Sequence, residues 1–122
     1  MIIKSLELID YRNYQNLNIK LDSGINIFYG DNAQGKTNIL ESIYMCSTTK
    51  SHRGSKDKEI IRFGCEESHI RALFDKNDVD YQIDMHLRND KSKGIAINGV
   101  KLKKAAELLG IANIILFSPD HV

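Results

Sequence analysis

The octapeptide Gly30-Asp31-Asn32-Ala33-Gln34-Gly35-Lys36-Thr37 fits the pattern Gly-x-x-x-x-Gly-Lys-[Ser/Thr], and it constrains the fold more than any other feature of the chain. It follows Ile25 to Tyr29, a short β-branched and aromatic run of the kind that forms a buried strand. After it, Ile39, Leu40, Ile43 and Tyr44 recur at helical spacing while Asn38, Glu41, Ser42 and Ser47 are polar, which predicts a helix from about Gly35 to Cys46. Strand, glycine-containing loop and helix in this order make a phosphate-binding loop. Its small residues let successive backbone N–H groups converge on phosphate oxygens, and the positive end of the following helix adds to the attraction. Gly30 through Thr37, with Asn38, are therefore the candidate nucleotide-binding residues. Lys36 is expected to reach the β- and γ-phosphates, and Thr37 to bind Mg²⁺ through its hydroxyl. The plainer alternative is a turn that only joins strand to helix.

The flanking segments read as antiparallel. Ile3, Leu6 and Leu8 alternate loosely with charged residues, Tyr11-Arg12-Asn13-Tyr14 interrupts them, and Leu17, Ile19 and Leu21 resume the alternation before the Asp22-Ser23-Gly24 turn, so a hairpin is expected. Residues 47–58 are polar and largely basic and read as a connecting loop. Beyond it, Ile70, Ala72 and Phe74 share one strand face, Lys76-Asn77-Asp78 makes a turn, and Tyr81, Ile83, Met85 and Leu87 alternate with Gln82, Asp84, His86 and Arg88. Asn98-Gly99, between Ile97 and Val100, is a preferred pair for a two-residue hairpin turn. Lys103 to Leu109, stopped by Gly110, is a short helix candidate, and Ile114 to Phe117 a final buried strand. The fold class is mixed α/β, with a P-loop strand and helix and an antiparallel layer of hairpins.

At 122 residues and 42% hydrophobic content, the chain suits one domain over residues 1–122 that buries roughly two-thirds of its unfolded surface. A net charge of +1 asks for no polyanion or membrane surface, so any DNA contact is expected to be local. No apolar run reaches the ~20 residues of a membrane-spanning helix, and residues 1–8 are too polar for a signal peptide. Cys46 and Cys65 have no companion zinc-ligand spacing and are expected to be reduced core thiols of a cytoplasmic protein. The only proline, Pro119, follows the last strand-like run, an abrupt end that suggests a piece of something longer.

Asn32 within Gly-x-Asn-x-x-Gly-Lys-Thr resembles the ABC-type ATPases of the SMC, RecN and RecF group. Tyr11-Arg12-Asn13-Tyr14, the run from Gln34 to Tyr44, Ser51-His52-Arg53 and Phe117-Ser118-Pro119-Asp120 are similar to the RecF family, in its order and along nearly the whole chain. The resemblance implies a P-loop NTPase, and this chain as the amino-terminal part of its ABC-type ATP-binding domain. The implied protein binds ATP and Mg²⁺, forms an ATP-dependent homodimer, and binds single- and double-stranded DNA. It also implies partnership with recombination mediator proteins in DNA replication, repair, recombination and the SOS response. The second acidic motif and the signature segment of such ATPases fall beyond Val122, so the chain alone is expected not to hydrolyse ATP. A common family pattern has glycine where this chain has Ala33, and alanine there costs about 1 kcal/mol if the backbone needs positive φ.

Arg12 is expected, by the same resemblance, to lie near the nucleotide phosphates, its alternative being a solvated charge. Asn13 and Tyr14 read as turn residues. Lys50, His52, Arg53, Lys56 and Lys58 form the densest basic stretch and read as a solvated loop, with a phosphate-backbone contact as the other option. Lys101, Lys103 and Lys104 read as a helix surface. His69, His86 and His121 have no carboxylate or cysteine at ligand spacing, so no metal is expected there. Two other functions stay open: a small P-loop kinase, which would need a parallel sheet, and a non-enzymatic lobe that docks DNA or a partner.

Overall fold

The computed structural model describes residues 2–20 and 33–104. Its elements run β1 (Ile2–Tyr11), β2 (Tyr14–Lys20), α1 (Ala33–Thr48), α2 (Asp57–Ile60), β3 (Glu67–Lys76), β4 (Val79–Arg88), β5 (Gly94–Ile97) and β6 (Val100–Lys101). The strands form one open sheet in the order β2-β1-β3-β4-β5-β6, every neighbouring pair antiparallel. Among the described residues no two neighbouring strands run parallel, unlike the alternating parallel architecture that a small kinase requires.

Alternation decides the two faces. Leu6 and Leu8 of β1, Ile70, Ala72 and Phe74 of β3, Ile83, Met85 and Leu87 of β4, and Ile95 and Ile97 of β5 are all buried, while their odd-step neighbours are not. The buried set meets Ile39, Ile43, Met45 and Cys46 of α1 and Ile60 and Ile61 at α2 to make a single core. Register follows from the turns. Asn77 and Asp78 both adopt positive φ, 54° and 64°, as do Asn98 and Gly99, 51° and 81°, the geometry of type I′ turns that suits the twist of the flanking strands. The Asn98 carboxamide oxygen also accepts the Gln82 N–H at 2.8 Å, tying the second turn to β4. A Cβ at Gly99 would meet nothing within 4 Å, so Gly99→Ala should cost only the strain of φ +81°, about 1 kcal/mol, read as a small fall in Tm with the native circular dichroism retained.

Several boundaries differ from the sequence reading. The helix expected over residues 35–46 runs over Ala33–Thr48, because Ala33 and Gln34 are good helix formers and nothing forces them out of helical φ. Residues 33–37 are thus a helical turn rather than loop, and the Ala33 strain does not arise. Its far end stops at Thr49, whose positive φ of 70° closes the helix where glycine would be the usual signal. α2 interrupts the expected loop. Lys101 belongs to β6 and Lys103 and Lys104 to a bend, so this basic group is not a helix surface. The segments expected at residues 21–29, the helix beyond Lys104 and the strand at 114–117 lie outside the described residues.

Candidate functional site

The β1–β2 turn, the first half of α1 and the segment between α1 and α2 converge on one side chain. Glu41 is 0% exposed, and Asn38, Ser42 and Ser47, the other polar residues noted at helical spacing, are buried with it. Six contacts surround its carboxylate. Oε1 accepts the Tyr11 hydroxyl at 2.7 Å and Arg12 Nε at 3.0 Å, and meets Arg53 Nη2 at 2.8 Å. Oε2 accepts Arg12 Nη2 at 2.8 Å, the Ser51 hydroxyl at 2.6 Å and Arg53 Nε at 3.1 Å. Burial by itself would raise the Glu41 pKa. The hydrogen bonds from Arg12, Arg53, Ser51 and Tyr11 outweigh it and hold the group at about 2, so it is a carboxylate throughout the neutral range. Burial, then the Glu41 charge, pushes the Tyr11 phenol well up, and it stays a donor.

Arg12 reaches this carboxylate through a strained backbone. Its φ is 53°, uncommon for a long side chain, and such a conformation costs on the order of 1–3 kcal/mol. Its N–H donates to the Ile60 carbonyl at 2.7 Å, the next ladder step pairs Tyr11 with Ile61, and Nη2 donates to the Ser55 hydroxyl at 2.9 Å. The turn is fixed from both sides, and the guanidinium, 22% exposed, is neither buried outright nor the solvated charge of the alternative reading. Arg53 is likewise no member of a solvated loop: besides Glu41 it donates to the Asn38 carboxamide oxygen at 2.9 Å, and Asn38 donates on to Asn13 at 3.2 Å. Lys50, His52, Lys56 and Lys58 remain exposed, with the His52 ring edge-on to Tyr44 at 5.6 Å.

Two guanidinium groups around one carboxylate leave local positive charge. It opens into a cleft of about 820 Å³ lined by Arg12, Asn13, Asn38, Lys58, Glu59 and Arg62, among others, three cations against one acid. Asn38 is the next residue after Thr37, so the cleft abuts the start of α1.

Of the candidate residues, Gly30, Asp31 and Asn32 lie outside the described residues. Ala33, Gln34, Gly35 and Lys36 form the first turn of α1, and Thr37 is half-buried just behind them. The first N–H groups of such a turn have no partner within the helix and are the donors an anion requires. Arg12 and Asn38 meet around the Glu41 network. Glu41, Ser51 and Arg53 are the residues the sequence reading did not assign. The available signal was Asn38, Glu41 and Ser42 at helical i, i+3, i+4 spacing directly after the phosphate loop. Cys46 is a core thiol as expected, its pKa pushed up to about 12 by burial, whereas Cys65 is only half-buried at the core edge. The expectation that no carboxylate stands at ligand spacing from His69 and His86 is corrected: adjacent strands place them side by side with Glu67. His121 is outside the described residues.

Residues 5–115 match the AAA domain family. Over all 122 residues the chain is 62% identical to the DNA replication and repair protein RecF of Lachnospira eligens and 62% identical to that of Agathobacter rectalis. It spans about 34% of the length of each of these curated relatives. Among solved structures, the recombination mediator protein RecF with ATP, of the RecFOR pathway, superposes with a TM-score of 0.81 at 34% identity, over 89% of this chain and 30% of that one. A structure from work on ATP-driven dimerization and DNA-stimulated activation of SMC ATPases has a TM-score of 0.80 at 22% identity, over 99% of this chain and 83% of that one, a likeness of fold.

Proposed function

The chain belongs to the AAA domain family and is RecF-like along its whole length, and from that premise we propose that it forms the ATP-binding part of a DNA repair and recombination protein. One observation carries the reading: the Gly-x-x-x-x-Gly-Lys-Thr octapeptide runs into α1 beside a cleft with excess positive charge. In this reading the backbone N–H groups from Gly30 through Asn38 cradle the phosphates, Lys36 neutralises the β- and γ-phosphate oxygens, and Arg12 adds charge from the hairpin tip. Glu41 aims Arg12 by holding two of its nitrogens. Mg²⁺ suits the same place, because Thr37, half-buried just after the first turn of α1, carries a hydroxyl and this ion takes few protein oxygens alongside phosphate and water. When bound, it neutralises phosphate charge.

For the whole protein we propose ATP-dependent dimerisation, binding of single- and double-stranded DNA, partnership with recombination mediator proteins and work in the cytoplasm. The relatives named for DNA replication and repair and for recombination mediation support this reading. No helix among the described residues is long and apolar enough to cross a membrane. Hydrolysis needs an acid to hold the metal and a group to orient water in addition to the phosphate cradle, so this chain alone should release no phosphate in multiple turnovers.

Titration of the intact protein with a fluorescent ATP analogue tests the site. Lys36→Ala should weaken binding at least about tenfold, the loss of one charge-assisted contact of ~1.4 kcal/mol or more. Thr37→Ala should abolish the gain in affinity on adding Mg²⁺. Unchanged affinity in the first variant and an unchanged Mg²⁺ response in the second would reduce the octapeptide to a structural turn.

A further inference from the structure

We propose that Glu67, His69 and His86 form a three-ligand site for a divalent transition-metal ion, Zn²⁺ foremost, on the sheet face turned away from the core. His69 and His86 are direct partners across the β3–β4 ladder, and Glu67, two residues before His69, projects from the same face. Their ligand atoms all lie within 4.8 Å of one another. The imidazoles stack with centroids 4.2 Å apart and planes inclined by 19°, and His86 Nε2 lies 2.8 Å from Glu67 Oε1. Metal–nitrogen and metal–oxygen bonds of about 2.0–2.2 Å at tetrahedral angles need ligand atoms roughly 3.4 Å apart, within reach of small side-chain rotations from this arrangement.

The support is rigid, since β3 and β4 are ten-residue strands paired along their whole length. Both cations beside the cluster are engaged elsewhere: Arg71 by Asp84 at 2.6 Å, and Arg88, across the ladder from Glu67, by the Ser92 carbonyl, to which it donates at 2.9 Å. Two imidazoles and a carboxylate select borderline ions over Mg²⁺ or Ca²⁺, which prefer all-oxygen shells. With three protein ligands the fourth position is left to water, the composition of an open rather than a closed zinc site. A bound ion would staple β3 to β4 on the face opposite the core that carries α1, independently of nucleotide.

The test is Zn²⁺ titration of the metal-stripped, nucleotide-free intact protein against a chromophoric chelator. The proposal expects His69→Gln and His86→Gln each to weaken the Zn²⁺ affinity at least about tenfold, the usual cost of losing a ligand or its orienting partner. Cys65→Ser should leave it unchanged. Because the three side chains lie off the core face, unaltered far-UV circular dichroism serves as the folding control. Cobalt substitution gives a second readout, in which visible d–d bands without a thiolate-to-metal charge-transfer band fit the two-histidine, one-carboxylate set. Wild-type affinity in the His69→Gln/His86→Gln double variant, loss of binding in Cys65→Ser, a thiolate band, or no Zn²⁺ binding at all would each overturn it.

Discussion

Glu41→Ala should destabilise the protein by about 3–5 kcal/mol, the cost of leaving buried partners of an ion pair without their counter-charge. The substitution leaves Arg12 and Arg53, 22% and 27% exposed, facing each other with no carboxylate between them. It also strips the acceptor from the buried Tyr11 hydroxyl and from Ser51. The hairpin tip carries positive φ at Asp10 and Arg12, and its strain is opposed by these bonds together with the backbone bonds to residues 60 and 62. Urea unfolding of the intact protein measures the effect. Glu41→Gln keeps the shape and one acceptor oxygen and should fall between wild type and alanine. A loss below about 1 kcal/mol in Glu41→Ala would mean that the carboxylate is held no more strongly than an exposed surface pair.

Acid should remove most of that same contribution. The folded-state pKa of Glu41, about 2, lies below its ordinary value of 4.5, so its contribution is present in full above about pH 4.5 and is lost as the pH falls towards 2. At roughly 1.4 kcal/mol per pKa unit the lost stability is on the order of 3 kcal/mol, comparable to the cost of the mutation. The expected signature is a convergence. Wild type and Glu41→Gln should differ most near neutrality and approach each other between about pH 4.5 and 2, while other carboxylates shift both curves together. Parallel curves down to pH 2 would show that the pair does not titrate as described.

Local patterns carried much of this molecule. The glycine, lysine and threonine spacing at residues 30–37 is the pattern of a phosphate-binding loop, so the sequence pointed to a phosphate site without any tertiary information. Alternation in β3 and β4, with Asn77-Asp78 and Asn98-Gly99 between strands, fixed which residues face the core, because a one-residue slip would invert every side chain. Helix ends were less legible. Thr49 closes α1 through positive φ, a role that its side chain does not announce.

What the sequence could not determine was the side of α1 that is buried. Periodicity separates the apolar residues of α1 from the polar ones, but it does not say whether a polar residue finds a partner that makes its burial affordable. Asn38 and Glu41 have partners, yet these come from residues 11–13 and 51–53, on elements distant in the chain that only folding brings together. The same holds for Glu67, His69 and His86: the two-residue spacing on β3 is visible locally, but the third ligand depends on the register of β4. Sequence determined the pleat, and pointed to the phosphate-loop motif, because both rest on neighbouring residues, and tertiary structure alone decided which charges meet, because Coulomb energy depends on distance through space rather than separation along the chain.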